Sequence, residues 1–123
     1  MTNVTNKKYD LEERTAEFAV DVINFTKAIP RDPRYLSIIT QLVRAATSVG
    51  ANYCEADDSQ SKKDFTHKIA ICKKESRESK YWLKVVAKTF PESAPGARGL
   101  WREAQELNLI FASIFNKKKS EES

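Results

Sequence analysis

The fold turns on SKKDFTHKIAICKKESRESKYWLKVVAKTF, residues 61–90. Within it Phe65, Ile69, Cys72, Ser76, Ser79, Leu83, Val86 and Phe90 follow one another at spacings of four and three. That alternation returns to the same side of an α-helix every turn, whereas a strand would alternate every second residue. Ser61 is placed to cap the helix, with Asp64 three residues on as its capping-box partner. The spacing predicts a helix over 62–89, roughly 40 Å long at about 1.5 Å per residue. Its middle seam positions, Ser76 and Ser79, are small and polar, which predicts a thin or hydrated core there.

Working outward, the punctuation is sparse. The chain of 123 residues has 3 Gly and 4 Pro. Pro30 and Pro33 interrupt the chain before this helix, and Pro91, Pro95, Gly96 and Gly99 cluster after it; proline lacks an N–H and clashes inside a helix. The polar run Asp57–Ser61 is a third break. Four segments remain. The first, 11–28, has Asp10 and Glu13 as a capping pair and a seam of Leu11, Thr15, Phe18, Val22, Phe25 and Ile29. The second, 35–56, follows Asp32 as cap and Pro33 at the first helical position. Its stripe is Leu36, Ile39, Val43, Ala46, Gly50 and Tyr53, widened by Leu42 and Val49. Gly50 costs about 1 kcal/mol against alanine in a helix, and close approach of another backbone would offset that. The fourth, 97–117 with its start near Pro95, carries Leu100, Ala104, Leu107, Phe111 and Ile114, flanked by Trp101, Ile110 and Phe115. Lys117, Lys118 and Lys119 suit the negative end of its macrodipole. Residues 1–9 are expected to be flexible and 119–123 to fray. Four amphipathic helices on short connections predict an all-α, antiparallel, up-and-down four-helix bundle.

Hydrophobic residues are 41 % of the chain and charged residues 31 %, a balance that excludes a disordered chain. No apolar run approaches the roughly 20 residues that span a bilayer. The polar stretch Met1–Asp10 lacks the apolar core of a secretory signal, so the cytoplasm is the expected compartment and no membrane partner is expected. Cys54 and Cys72 lack CxxC spacing and each falls in a helix, which reads as two buried free thiols.

Net charge is +4, and its distribution says more than its size. Residues 62–88 hold nine basic side chains and three acidic ones, so this helix is six positive and the rest of the chain two negative. At about 100° per residue, all but Lys68 fall within one arc of roughly 120° beside the seam. Lys73, Lys74, Arg77, Lys80, Lys84 and Lys88 are the candidate phosphate contacts; a merely solvated face is the alternative. Phosphate neutralisation works by counterion release without reading sequence. The scarcity of arginine and of interleaved aromatics argues against base-specific recognition. The opposite flank carries Asp64, Ile71, Glu75, Glu78 and Trp82, a second stripe wide enough for a partner surface.

On the second helix Arg44, Ser48, Asn52 and Glu55 form a polar stripe opposite its apolar seam, bordered by Ala45, Gly50 and Ala51. So small a surface fits a packed interface with satisfied polar groups. The segments RAATSVGANYCEA (44–56), SKKDFTHK (61–68) and KESRESKYWL (74–83), with YDLEERT (9–15) and EAQELN (103–108), closely resemble the four-helix-bundle family of 23S ribosomal RNA intervening-sequence proteins. The likeness extends over roughly residues 9–118. It implies a ring-like homopentamer of four-helix bundles, and a more distant similarity to accessory proteins of diversity-generating retroelements, basic pentameric barrels that bind nucleic acid and a reverse transcriptase. It implies no catalytic residue. The family's recurrent polar positions correspond to Arg44, Ser48, Asn52, Glu55, Glu75 and Glu78.

Catalytic chemistry finds little footing. Di-iron bundles need Glu-x-x-His on two helices, and this chain has one histidine, His67, without that motif. Glu55, Glu75 and Glu78 are more simply read as partners of Arg44 than as metal ligands. No cysteine lies near His67 in sequence, and three glycines cannot build a phosphate loop. The expectation is a non-enzymatic homo-oligomer without cofactor or metal, whose basic surface meets nucleic acid, RNA before DNA. The alternative is a scaffold that docks a partner protein, its lysines serving solubility alone.

Overall fold

A computed structural model describes residues 10–122. The expected flexible segment 1–9 and Ser123 lie outside them. Four helices occupy nearly all of the described chain: α1 (Leu11–Thr26), α2 (Pro33–Asp57), α3 (Lys62–Thr89) and α4 (Ala94–Glu122), with a single 3₁₀ turn at Pro91–Ser93. No strand occurs among the described residues.

The starts are those the sequence marks. Asp10 accepts a hydrogen bond from the Glu13 amide at 3.2 Å, Asp32 from Arg34 N at 2.8 Å, and Ser61 Oγ from Asp64 N at 3.0 Å. Each satisfies one of the amides that a helix start leaves without a partner. α1 stops at Thr26, two residues early. The amides of Lys27, Ala28 and Ile29 turn back to Asn24, Phe25 and Thr26, a tightened turn that clears the chain for Pro30, before which helical conformation is disfavoured.

The fourth helix differs most from expectation. It begins at Ala94 and takes Pro95, Gly96 and Gly99 into its opening turns. Proline is harmless there because the first-turn amides have no intrahelical partner to lose. Its far end runs to Glu122 rather than fraying after 118, tied by Lys118–Glu121 and Lys119–Glu122 ion pairs at 3.6 and 3.8 Å.

Each helix packs on its sequence neighbours and α1 closes onto α4; the diagonal backbones stay apart, with the Tyr53 ring of α2 meeting the Phe111 ring of α4 across the core at 6.0 Å. Cross-helix partners establish the antiparallel sense, since one number rises as the other falls. Arg44 meets Glu75, Val49 meets Cys72 and Glu55 meets Lys68. Phe65 faces Lys118, Lys73 faces Phe115 and Lys80 faces Trp101. Phe25 lies against Gly96, and Arg14 reaches Glu103 and Glu106.

The core is built from Phe18, Val22, Leu42, Val49, Ile69, Leu83, Val86, Leu107 and Phe111. The seams of α1, α3 and α4 lie where the spacing puts them. That of α2 is rotated toward Leu42, Ala45, Ala46 and Val49, leaving Leu36 exposed. Ser76 and Ser79 are fully buried and satisfied by their own helix, donating to Lys73 O and Glu75 O. Asn108 of α4 reaches across to Lys73 O at 2.8 Å and Ser76 Oγ at 3.2 Å. Small side chains there let α4 bring a polar group to α3, so hydrogen bonds occupy the thin place in the core. Cys72 is buried as expected. Cys54 is exposed, because position 54 lies past the rotated face of α2.

Candidate nucleic-acid interface

Lys74, Arg77, Lys84 and Lys88 point into solvent, while Lys73 and Lys80 are half-buried along the α3–α4 edge. None of these six pairs with a carboxylate among the described residues. Lys68, which the sequence separates from the stripe, is the α3 lysine that does: its ammonium lies 2.5 Å from Glu55 of α2.

The edge is also aromatic, contrary to expectation. Lys73 sits over the Phe115 ring at 4.9 Å and Lys80 over Trp101 at 5.1 Å, and Lys80 also donates to Gln105. Farther along, Lys118 lies 5.6 Å from the Phe65 ring. The aromatics come from the neighbouring helix, so no reading of α3 alone would place them among its lysines. A signal existed: Trp101, Gln105, Asn108 and Phe115 recur on one side of α4 at helical spacing, and they border α3. Arg98, one turn before Trp101, adds an exposed cation to this side.

α1 supplies the counterpart. Glu12, Glu13, Glu17 and Asp21 are exposed on it, and α1 lies diagonally across the bundle from α3. Arg14 is turned inward, bidentate to Glu103 at 2.7 and 2.9 Å and within 2.8 Å of Glu106. The hydrogen bond it donates to Glu103 holds its charge and pushes its pKa up. The molecule is therefore polarised, basic along α3 and acidic along α1.

The polar set of α2 and α3 divides into separate arrangements. Arg44 bridges two carboxylates one turn apart on α3, Glu75 at 3.3 Å and Glu78 in a closer contact, and Trp82 Nε1 donates to Glu78 at 3.2 Å. Glu75 is buried at 6 % exposure, and Arg44 is its cross-helix cation. Partial burial opposes the Arg44 charge, but Glu78 and Glu75 outweigh it and raise its pKa. Asn52 instead donates to Ser48 O at 2.8 Å within its own helix, and Glu55 belongs to Lys68. The stripe on α2 thus flanks the apolar face along the α2–α3 edge rather than opposing it, the consequence of the rotated α2 seam. Tyr81 is 59 % exposed and packs edge-on against Trp82, ring centroids 5.1 Å apart.

No group of three or more histidine, cysteine, aspartate or glutamate side chains converges as a metal site among the described residues. No described helix is long and apolar enough to cross a membrane.

The model of the 23S rRNA-intervening sequence protein family matches residues 7–108. Among solved structures, a protein of unknown function from the S23 ribosomal protein family of Bacteroides thetaiotaomicron superposes with a TM-score of 0.77 at 31 % identity, over 85 % of this chain and 96 % of that one. No curated protein matches. With most of its length matched by the family and its bundle shared with that relative, the chain belongs to the 23S rRNA-intervening sequence protein family.

Proposed function

We propose that this protein is a non-enzymatic homo-oligomer that binds nucleic acid, RNA in preference to DNA, through the basic α3–α4 surface and with low sequence specificity. One observation carries the reading: six cations on one side of the bundle have no carboxylate partner among the described residues, while Lys68 and Arg14 are paired. Cations without a carboxylate partner on a continuous surface can release counterions from a phosphate backbone without any internal ion pair being broken. The acidic α1 lies on the far side and leaves that approach clear. The family's description refers to 23S rRNA, which makes RNA the first polymer to try.

The oligomer belongs to the α2–α3 edge. Arg44, Glu78, Trp82 and Tyr81 form a half-exposed patch of satisfied charges and aromatic surface, suited to a subunit contact with a polar rim. Five subunits is the number the family resemblance implies. An exposed Tyr81 beside Trp82 equally suits a partner protein, and that is the second reading.

The test is titration of purified, nuclease-treated protein into labelled structured RNA at two salt concentrations, with mass measured in solution. Micromolar or tighter binding that collapses as salt rises, from a species several times 14.0 kDa, is the expected result. An oligomer indifferent to RNA at low salt transfers the assignment to the protein scaffold.

A further inference from the structure

We propose that the groove between the end of α3 and the start of α4 receives an unpaired base of a single strand, with Trp101 as the stacking surface and Lys84 and Arg98 on the flanking phosphates. The groove, about 270 Å³, is lined by Leu83, Lys84, Ala87, Ala97, Arg98 and Trp101. Its lining is apolar except for the two cations, and neither cation has an ion-pair partner among the described residues. Trp101 is 37 % exposed, and the Lys80 ammonium lies over its ring at 5.1 Å. A duplex presents phosphates to such a surface and leaves the apolar lining unused. A single strand uses both parts, because base–aromatic stacking combined with a positive track is how single-strand sites work. The volume lies just under the roughly 300 Å³ at which ligand clefts begin, suited to one ring system.

The assignment rests on the nucleic-acid reading above, and its test separates the two. Affinities are measured at low and moderate salt for an oligo-dT of about a dozen residues and for a strand of tetrahydrofuran abasic spacers with the same number of phosphates. Wild-type protein is expected to bind the base-bearing strand about 5- to 160-fold more tightly, the range that stacking of one base supplies. Trp101→Ala should bring oligo-dT down to the affinity of the spacer strand and leave spacer affinity unchanged, while Trp101→Phe keeps most of the preference. Lys84→Glu with Arg98→Glu should weaken both strands alike. Circular dichroism melting of each variant establishes that the bundle is intact. Equal, salt-sensitive binding of the two strands, indifferent to Trp101, overturns the base site while the basic-surface reading stands; an apolar segment of a partner protein then becomes the occupant. Absence of binding by either strand at low salt overturns the base site, and the structured-RNA titration above then decides the basic-surface reading by itself.

Discussion

Thr15 and Gly50 stand so close that a Cβ at position 50 would lie 2.7 Å from Thr15 Oγ1 and 3.1 Å from its Cβ. Thr15 has little freedom to move aside, because its hydroxyl donates to Leu11 O at 2.6 Å and the residue is fully buried. Here α1 and α2 approach each other closely, and glycine inside α2 is the condition for it.

Gly50→Ala should therefore destabilise the protein. Overpacking costs about 1–3 kcal/mol and the gain in helix propensity offsets about 1, leaving a net loss of about 1 kcal/mol. Urea unfolding followed by circular dichroism measures it. Thr15→Ala in the same chain should recover part of the loss, because the hydroxyl contact disappears while the Cβ contact stays. A stabilised Gly50→Ala variant would show that the two helices separate freely.

Arg14 is the main charged tie between α1 and α4, its side chain 14 % exposed against Glu103 at 31 %. A double-mutant cycle with Arg14→Ala and Glu103→Ala should return a coupling of about 1–2 kcal/mol, the range for a charge-assisted, bidentate, partly screened pair. Amide exchange should quicken first in the opening turns of α1, which holds α4 far less extensively than α3 does.

Burial pushes the Cys72 thiol from 9.0 up to about 12. The unfolded chain gives up this proton near pH 9 while the folded one retains it, so above that pH the unfolded state binds fewer protons. The contribution to stability is complete below pH 9 and is lost as pH rises from about 9 to about 12. Burial raises Tyr53 in the same sense. Denaturation midpoints should fall over that window, and less steeply in Cys72→Ala. At pH 8 a thiol reagent should modify Cys54, which is exposed, and reach Cys72 only after unfolding.

Charge reversal separates cations that serve the fold from those that serve the surface. Lys74→Glu, Arg77→Glu and Lys84→Glu touch cations that have neither an ion pair nor an aromatic ring partner among the described residues. Each should leave the melting temperature nearly unchanged, weaken RNA binding, and lower the salt slope by about 0.7–0.9 for each phosphate no longer neutralised. Lys73→Glu and Lys80→Glu should also lower stability, since both ammonium groups lie over aromatic rings of α4. RNA affinities that ignore all five substitutions would remove the nucleic-acid reading.

Arg44→Glu places a third carboxylate beside Glu75 and Glu78. If the α2–α3 edge is the subunit contact, this variant should sediment toward 14.0 kDa with much of its helix content retained. Trp82→Ala should do likewise, because it removes the ring on which Tyr81 packs and the donor to Glu78. Unchanged mass in both would place the contact elsewhere.

Much of the architecture is local and therefore legible along the chain. The seams of α1, α3 and α4, the caps at Asp10, Asp32 and Ser61, and the surplus of cations on α3 all follow from spacing within a few turns of one helix. So does the place of Pro95 once it is counted from the helix start, for a first-turn proline gives up no hydrogen bond. Relations between helices decided the rest. The rotation of α2, which exposes Leu36 and Cys54 and buries Ala45, belongs to its packing against α1 and α3 together. Glu55, Glu75 and Glu78 look equivalent in the sequence, yet one meets Lys68 and the other two meet Arg44, because the register of α2 against α3 selects each partner. The aromatics beside Lys73 and Lys80 arrive from α4, a separate helix far along the chain. Periodicity reports which side of a helix is apolar; which neighbour that side meets, and at what height, is decided by packing all four helices at once.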